Sequence, residues 1–331
     1  MLSRIFKYGV VMMAAYASCI QAAESEPITI RFAHVMADDT PTGQGVIMFR
    51  DLVNERLAGK VNVEVFANSR LVGDNDELQA LTENKVQMLA PSLSKFATYN
   101  PKLQVFDVPF LFDDADAVER FQTRAISNLL MNSMSTDGIH GLAYWNTGLK
   151  QFSSTKPIKV PNDAAGLVFR VQDSALLEDQ FKLMGAKTER IPFAELKKAT
   201  QDNRIQGAEN TWPIIQGLEL YKEQPNVTES NHGTLSYLVV SNSEFWNSLP
   251  FNIRTELESI LAEVTYKVNQ DAAQLNKQAR TQAIENGVSV TTLTPEQRAQ
   301  WREAMQPLWN QYEDQIGADV MRAAKAANRR R

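Results

Sequence analysis

The stretches ITIRFAHV (28–35), VNVEVF (61–66) and VQMLAP (86–91) decide the fold. Each is a short apolar run bounded by turn or polar residues, as a strand in a half-buried or buried sheet should be. After the first, the loop MADDTPTGQG (36–45) gives way to Val46, Phe49, Val53 and Leu57 at helical spacing. After the second, a helix is predicted over 74–85, with Asp74, Asn75 and Asp76 as candidate caps. The third runs into SLSK (92–95). The order β-α-β-α-β predicts helices packed on a largely parallel sheet.

Further along, LQVFDVPFLF (103–112) is apolar but broken by Pro109, which suggests a strand leaving the sheet. A helix over about 114–130 and a strand over 138–146 follow. The pattern then restarts with strand 166–171, helix 174–184, strand 187–191, helix 193–201 and strand 205–209. This second α/β series places a lobe change near Thr147. After the apolar strand 235–241 the chain is helical almost to its end. No Gly or Pro interrupts 251–286, and Ile253, Leu257, Ile260, Leu261 and Val264 trace one apolar face. A helix of that length is longer than one lobe and can brace two. The expected division is 24–147 with 235–265 as one lobe and 148–234 with 266–331 as the other. The tail AAKAANRRR (323–331) reads as a frayed, solvated end.

At the start, Arg4 and Lys7 precede an apolar run from Tyr8 to Ile20 that ends at Ala22 and Ala23. This reads as a secretory signal peptide over 1–23, with an uncleaved anchor as the alternative. A lipoprotein at Cys19 is disfavoured, because Tyr16 stands where a small aliphatic residue belongs. Cys19 is the only cysteine, so a processed chain would have no thiol for a nucleophile, disulfide or metal. Processing also takes the formal charge from −5 to −7, which argues against nucleic acid or an anionic membrane as partner. A chain this acidic must bind an anion with a few placed cations.

Catalytic signatures are missing. The three histidines, His34, His140 and His232, form no HExxH, and no CxxC, GxxxxGK or GxSxG occurs. Gly43-Gln44-Gly45 lacks the third glycine of a dinucleotide loop, and Asp38-Asp39 and Asp113-Asp114 read as caps or solvated charges, not metal ligands.

Five stretches in order resemble the solute receptors of tripartite ATP-independent periplasmic (TRAP) transporters, the DctP family. They are RFAHVMADDTPTGQG (31–45), FDVPFLF (106–112), GLVFRVQ (166–172), QGAENTWP (206–213) and NHGTLSYLVVSNSEFWNS (231–248), the last similar to the dicarboxylate-binding branch. The resemblance implies an α/β, two-lobed periplasmic-binding-protein fold with mixed, mostly parallel sheets and a long helix spanning both lobes. It also implies a monomeric periplasmic receptor, without cofactor or metal, that carries a C4-dicarboxylate such as malate, succinate or fumarate to TRAP membrane permease subunits. Another carboxylate, such as a 2-oxo acid or monocarboxylate, remains an alternative ligand. A periplasmic lyase or isomerase using His34 or His232 as base, or a sensory receptor, are the alternative functions.

Residue by residue, the resemblance assigns the ligand carboxylate to Arg170, whose planar fork meets two oxygens at once and keeps its charge when buried. A surface salt bridge is the plainer reading of the same arginine. Asn210 would complete the clamp through its amide, unless it serves as a helix cap. Lys150 would supply a second cation for a dicarboxylate. Ser92 and Ser94 would donate hydroxyls, and His34 and His232 would border the cleft. Phe193 and Trp212 would wall it, although both fit a core equally well. Thr42 stands where many dicarboxylate receptors of this type carry Lys, which would either weaken the dicarboxylate expectation or shift the distal carboxylate to Lys150 and His232.

Overall fold

The computed structural model describes residues 26–329. The signal-peptide reading of 1–23 lies outside those residues. The chain runs through β1 (Ile28–Ala33), α1 (Pro41–Arg56), β2 (Val61–Phe66), α2 (Glu77–Thr82) and β3 (Met88–Leu89), then α3 (Ala115–Gln122), α4 (Ala125–Asn132) and β4 (Ile139–Leu149). The second series is β5 (Gln151–Ser154), β6 (Val168–Val171), α5 (Ala175–Leu183), β7 (Lys187–Arg190), α6 (Leu196–Gln201), β8 (Gly207–Asn210), α7 (Trp212–Gly217) and β9 (Asn226–Glu229). It closes with β10 (Thr234–Asn242), α8 (Ser243–Ser248), α9 (Phe251–Glu285), β11 (Ser289–Thr292), α10 (Pro295–Ile316) and α11 (Ala318–Ala327).

Two mixed sheets result, in the orders β2-β1-β3-β10-β4 and β11-β9-β5-β8-β6-β7. Each is parallel where its β-α-β series runs: β1 with β2 and β3, and β6 with β7 and β8. The antiparallel joints come where β10 and β5 insert. The chain crosses between sheets at 149–151, directly from β4 into β5, and again between β9 and β10.

Several elements differ from their sequence reading for local reasons. Helix α1 begins at Pro41, five residues before its apolar stripe, because Thr40 caps it by accepting from Gly43 N at 3.1 Å and Pro41 fits the first turn. The expected strand at 103–112 is instead a 3-10 turn, Pro101–Phe106, followed by loop; Asn100 caps the turn and Phe106, Phe110 and Phe112 are all buried. Its apolarity reflects an aromatic core, not a sheet: Phe106 meets Phe121 at 5.4 Å and Tyr144 at 5.5 Å. The helix over 114–130 is broken in two at Thr123 and Arg124. The tail is not frayed up to Ala327, since α11 buries Val320, Met321, Ala324 and Ala327.

Helix α9 is continuous over 35 residues, about 52 Å. Its first half buries Ile253, Leu257, Ile260, Leu261 and Val264 against the core of the first sheet. Its second half presents Ala279 and Ala283 to Trp212, Ile215 and Val227 beside the second sheet. Polar side chains pin it to β4 next to the crossover: Asn269 Oδ1 accepts from Asn146 N at 2.7 Å, and Asn276 Nδ2 donates to Thr147 O at 2.7 Å.

Gly148 sits in that crossover with φ +127°, and a Cβ there would lie 2.5 Å from Asn276 Nδ2. Replacing it with Ala strains the backbone and displaces the Asn276 amide from Thr147. Chemical denaturation of Gly148→Ala should show a loss of about 1–3 kcal/mol; an unchanged midpoint would show that the crossover is not under this constraint.

Candidate functional site

Between the two sheets lies a narrow cavity whose wall is shared evenly. Val35, Asp74, Ser92, Leu235 and Tyr237 come from segments of the first sheet and its connections. Arg170, Gln172, Phe193, Asn210 and Ile214 come from the second. Its volume is about 20 Å³, room for a single water, so the two halves are shut on each other.

Arg170 is 4% exposed, the third residue of β6. Its Nε donates to Ile191 O at 2.8 Å, and this bond aims the side chain. Among the described residues, the terminal guanidinium nitrogens have no hydrogen-bond partner and no carboxylate lies within 4.0 Å of them. Burial lowers the guanidinium's pKa from its usual value, while Asp74 and Glu209 oppose the shift from beyond ion-pair distance. Asn210, the last residue of β8, is 2% exposed, and its Nδ2 is buried without a partner. Two kinds of buried donor therefore face one cavity with nothing to donate to, an arrangement that costs stability unless an acceptor is bound.

Ser92 and Phe193 also line this cavity, and Ser94 lies one step behind, with Ser92 Oγ 3.5 Å away and its own hydroxyl donated to Asp107 Oδ1 at 2.7 Å. Burial pushes Asp107 up to about 6, against the pull of Lys150.

The remaining expected site residues are elsewhere. Lys150 is not a free second cation: its ammonium is 2.6 Å from Glu209 Oε1, and both side chains are buried. His232 does not border the cavity. Its Nε2 meets Glu209 Oε2 at 2.8 Å, its Nδ1 meets Ser230 Oγ at 2.7 Å, and its ring stacks on Phe152 at 3.9 Å. Burial favours the neutral acid at Glu209, but Lys150 and His232 outweigh it and hold the carboxyl well below the usual range. Burial also lowers the His232 pKa, with Glu209 opposing. Trp212 opens α7 and packs against α9, so Ile214, two residues later, forms the cavity wall in its place. His34 is buried, and desolvation lowers it to about 4; its neighbour Val35 is the one that reaches the cavity. Thr42 is fully buried in the first turn of α1, without a partner for its hydroxyl, and is not part of the wall.

Sequence reasoning missed Tyr237, Gln172 and Asp74. Tyr237 and Leu235 alternate on one face of β10, a period-2 signal hidden in a strand that is buried on both sides. Among the described residues, the Tyr237 hydroxyl donates only to Met36 Sδ, at 3.1 Å, a weak acceptor. Asp74 does not cap α2; it pairs with Lys95 and accepts from Phe193 N at 3.0 Å. Among the described residues, no group of His, Cys, Asp and Glu is arranged to hold a metal ion.

Known proteins share this architecture. A solved TRAP periplasmic solute-binding protein from Shewanella oneidensis, with bound succinate, superposes with a TM-score of 0.90 at 46% identity, covering 92% of this chain and 100% of that one. Another from Pseudomonas aeruginosa, with bound L-malate, gives 0.84 at 51% identity, covering 86% and 100%. The C4-dicarboxylate-binding periplasmic protein DctP of Shewanella loihica is 46% identical over 323 residues, 96% of each chain, and that of Vibrio cholerae 45% over 312 residues, 93% and 94%. Residues 32–315 match the model for DctP, bacterial extracellular solute-binding protein, family 7. With two α/β lobes, a cavity between them and a match along nearly its whole length, the chain belongs to the DctP family of bacterial extracellular solute-binding proteins.

Proposed function

We propose that this protein is the periplasmic receptor of a TRAP transporter and binds a C4-dicarboxylate such as succinate, malate or fumarate without altering it. The observation that carries the reading is that the terminal guanidinium nitrogens of Arg170, whose Nε alone is bonded, and the buried, unpartnered Asn210 amide line one interlobe cavity. The names and bound ligands of the similar proteins support the substrate class.

One ligand carboxylate takes the Arg170 fork and the Asn210 amide. The distal carboxylate meets neutral donors, the Ser92 and Tyr237 hydroxyls and the Gln172 amide, since Lys150 is already paired with Glu209. Charge-assisted bonds of about 1.5–3 kcal/mol each, with neutral ones, reach the ~8 kcal/mol of micromolar affinity after ordering costs. Neither His34 nor His232 reaches the cavity wall, which favours binding over turnover. The cavity is too small for such a ligand as it stands, so entry requires the lobes to part about the crossovers at 149–151 and 229–234. The protein acts as a monomer, leaves the cytoplasm on the signal peptide 1–23, and presents its closed form to the membrane permease.

Calorimetry of the purified protein with succinate, malate and fumarate tests this. Arg170→Ala should weaken binding roughly a hundred- to ten-thousandfold while leaving the melting of the empty protein nearly unchanged; wild-type affinity in that variant would refute the assignment. Asn210→Asp should bind more weakly than Asn210→Ala, because a carboxylate would face the ligand's own. Equal affinities for the two would place Asn210 outside the clamp.

A further inference from the structure

A continuous set of bonds joins the Arg170 side chain to the opposite lobe through three main-chain residues. Arg170 Nε donates to Ile191 O at 2.8 Å, and two residues on, Phe193 N donates to Asp74 Oδ2 at 3.0 Å. Asp74 lies in the connection from β2 to α2 of the first sheet, whereas Ile191 and Phe193 follow β7 of the second. Between them Pro192, at φ −55° and ψ 148°, is stiff, so a force at one end is felt at the other. Asp74 is itself held, since its other oxygen pairs with the Lys95 ammonium, which also lies 2.8 Å from Glu77 Oε1. Phe193 packs against the cores of both lobes, which puts this contact at the seam.

We propose that Asp74 is a positioning residue and a closure latch: through the main chain of 191–193 it fixes the aim of Arg170 and ties the lobes together, so that ligand release waits on breaking the Asp74–Phe193 bond. The bond can exist only when the halves meet, so it acts on the closed state and not on the first encounter. Its effect therefore falls on the dissociation rate. The proposal rests on the reading of Arg170 as the carboxylate site.

The test is stopped-flow kinetics with succinate and malate on full-length mature protein. Asp74→Ala should raise the dissociation rate about ten- to a hundredfold, with association changed by less than about threefold. Phe193→Pro removes the same bond from the donor side. Pro is compatible there, because Pro192 already has the extended ψ that a following proline requires and Phe193 begins a 3-10 turn. Phe193→Ala keeps the N–H and is the control for the lost ring. The latch predicts that Phe193→Pro exceeds Phe193→Ala, and that adding Asp74→Ala to Phe193→Pro has little further effect. Asp74→Asn keeps an acceptor for Phe193 while losing the charge, and should fall between wild type and Asp74→Ala. Wild-type dissociation in Asp74→Ala, or multiplicative effects in the double variant, would overturn the latch. If Arg170→Ala abolishes binding while Asp74→Ala dissociates normally, the ligand site stands and only the latch fails; if Arg170→Ala binds normally, the underlying site reading fails instead.

Discussion

A buried guanidinium without a counter-ion is the constraint around which the rest of this structure is arranged. Desolvation of Arg170 opposes its charge, and an arginine cannot escape by losing its proton. Folding must hold it in place by other means, and the means is one main-chain acceptor, Ile191 O, taking Nε and leaving the two terminal nitrogens to the cavity. The cost of keeping those donors empty is offset by the large cores on either side, where Phe152, Phe169 and Phe181 pack beneath β6 and Phe32, Phe49 and Trp145 beneath β1.

The same economy explains the second polar system behind the cavity. Glu209 and Asn210 are neighbours on β8, and the alternation of a strand sends them to opposite faces. Were Glu209 unpaired, its charge would still be felt at Arg170 through the sheet, since it is among the groups that raise the guanidinium's pKa. Instead Lys150, His232 and Gln180 saturate it, with Gln180 Nε2 donating at 3.0 Å. The buried acid is thereby neutralised on its own side of the sheet, and the positive field at Arg170 survives for an anion. On the proposed reading, Lys150 would serve anion binding indirectly, by occupying Glu209.

Much of this was legible in the sequence, and the reasons it was not all legible are specific. The two strand series, the crossover region and the full extent of α9 follow from period and from the absence of Gly and Pro, signals that tertiary context rarely overrides. The stretch 103–112 misled because aromatic residues that build a loop-borne core look like a strand when read one residue at a time. At the cavity, Arg170, Asn210, Ser92 and Phe193 share one wall, whereas Lys150 and His232, expected beside them, are drawn away by Glu209. Nothing in the spacing of Lys150, Glu209 and His232 announces that pairing, since it joins three separate segments. Asp74 was read as a cap, which is what an acid before a helix usually is; only the fold brings it to Lys95 and Phe193.

The link between the halves also limits how they can move. Two short crossovers and α9 connect them, and α9 is bound to β4 by Asn269 and Asn276 on both sides of Thr147. A helix fixed that firmly to the first sheet serves as a backstop, and it also holds the second, where Ala279 and Ala283 pack beside Trp212, Ile215 and Val227 and Arg280 Nε donates to Glu229 Oε1 at 2.5 Å. Bending α9 would break its own main-chain hydrogen bonds, so it is the stiffest of the three connections. On the cavity side the lobes meet through the Asp74–Phe193 bond and through Phe193 and Ile214, which pack on the core of the first sheet. In the proposed complex, an anion bridging Arg170 and the hydroxyls of Ser92 and Tyr237 would add its bonds across that same seam.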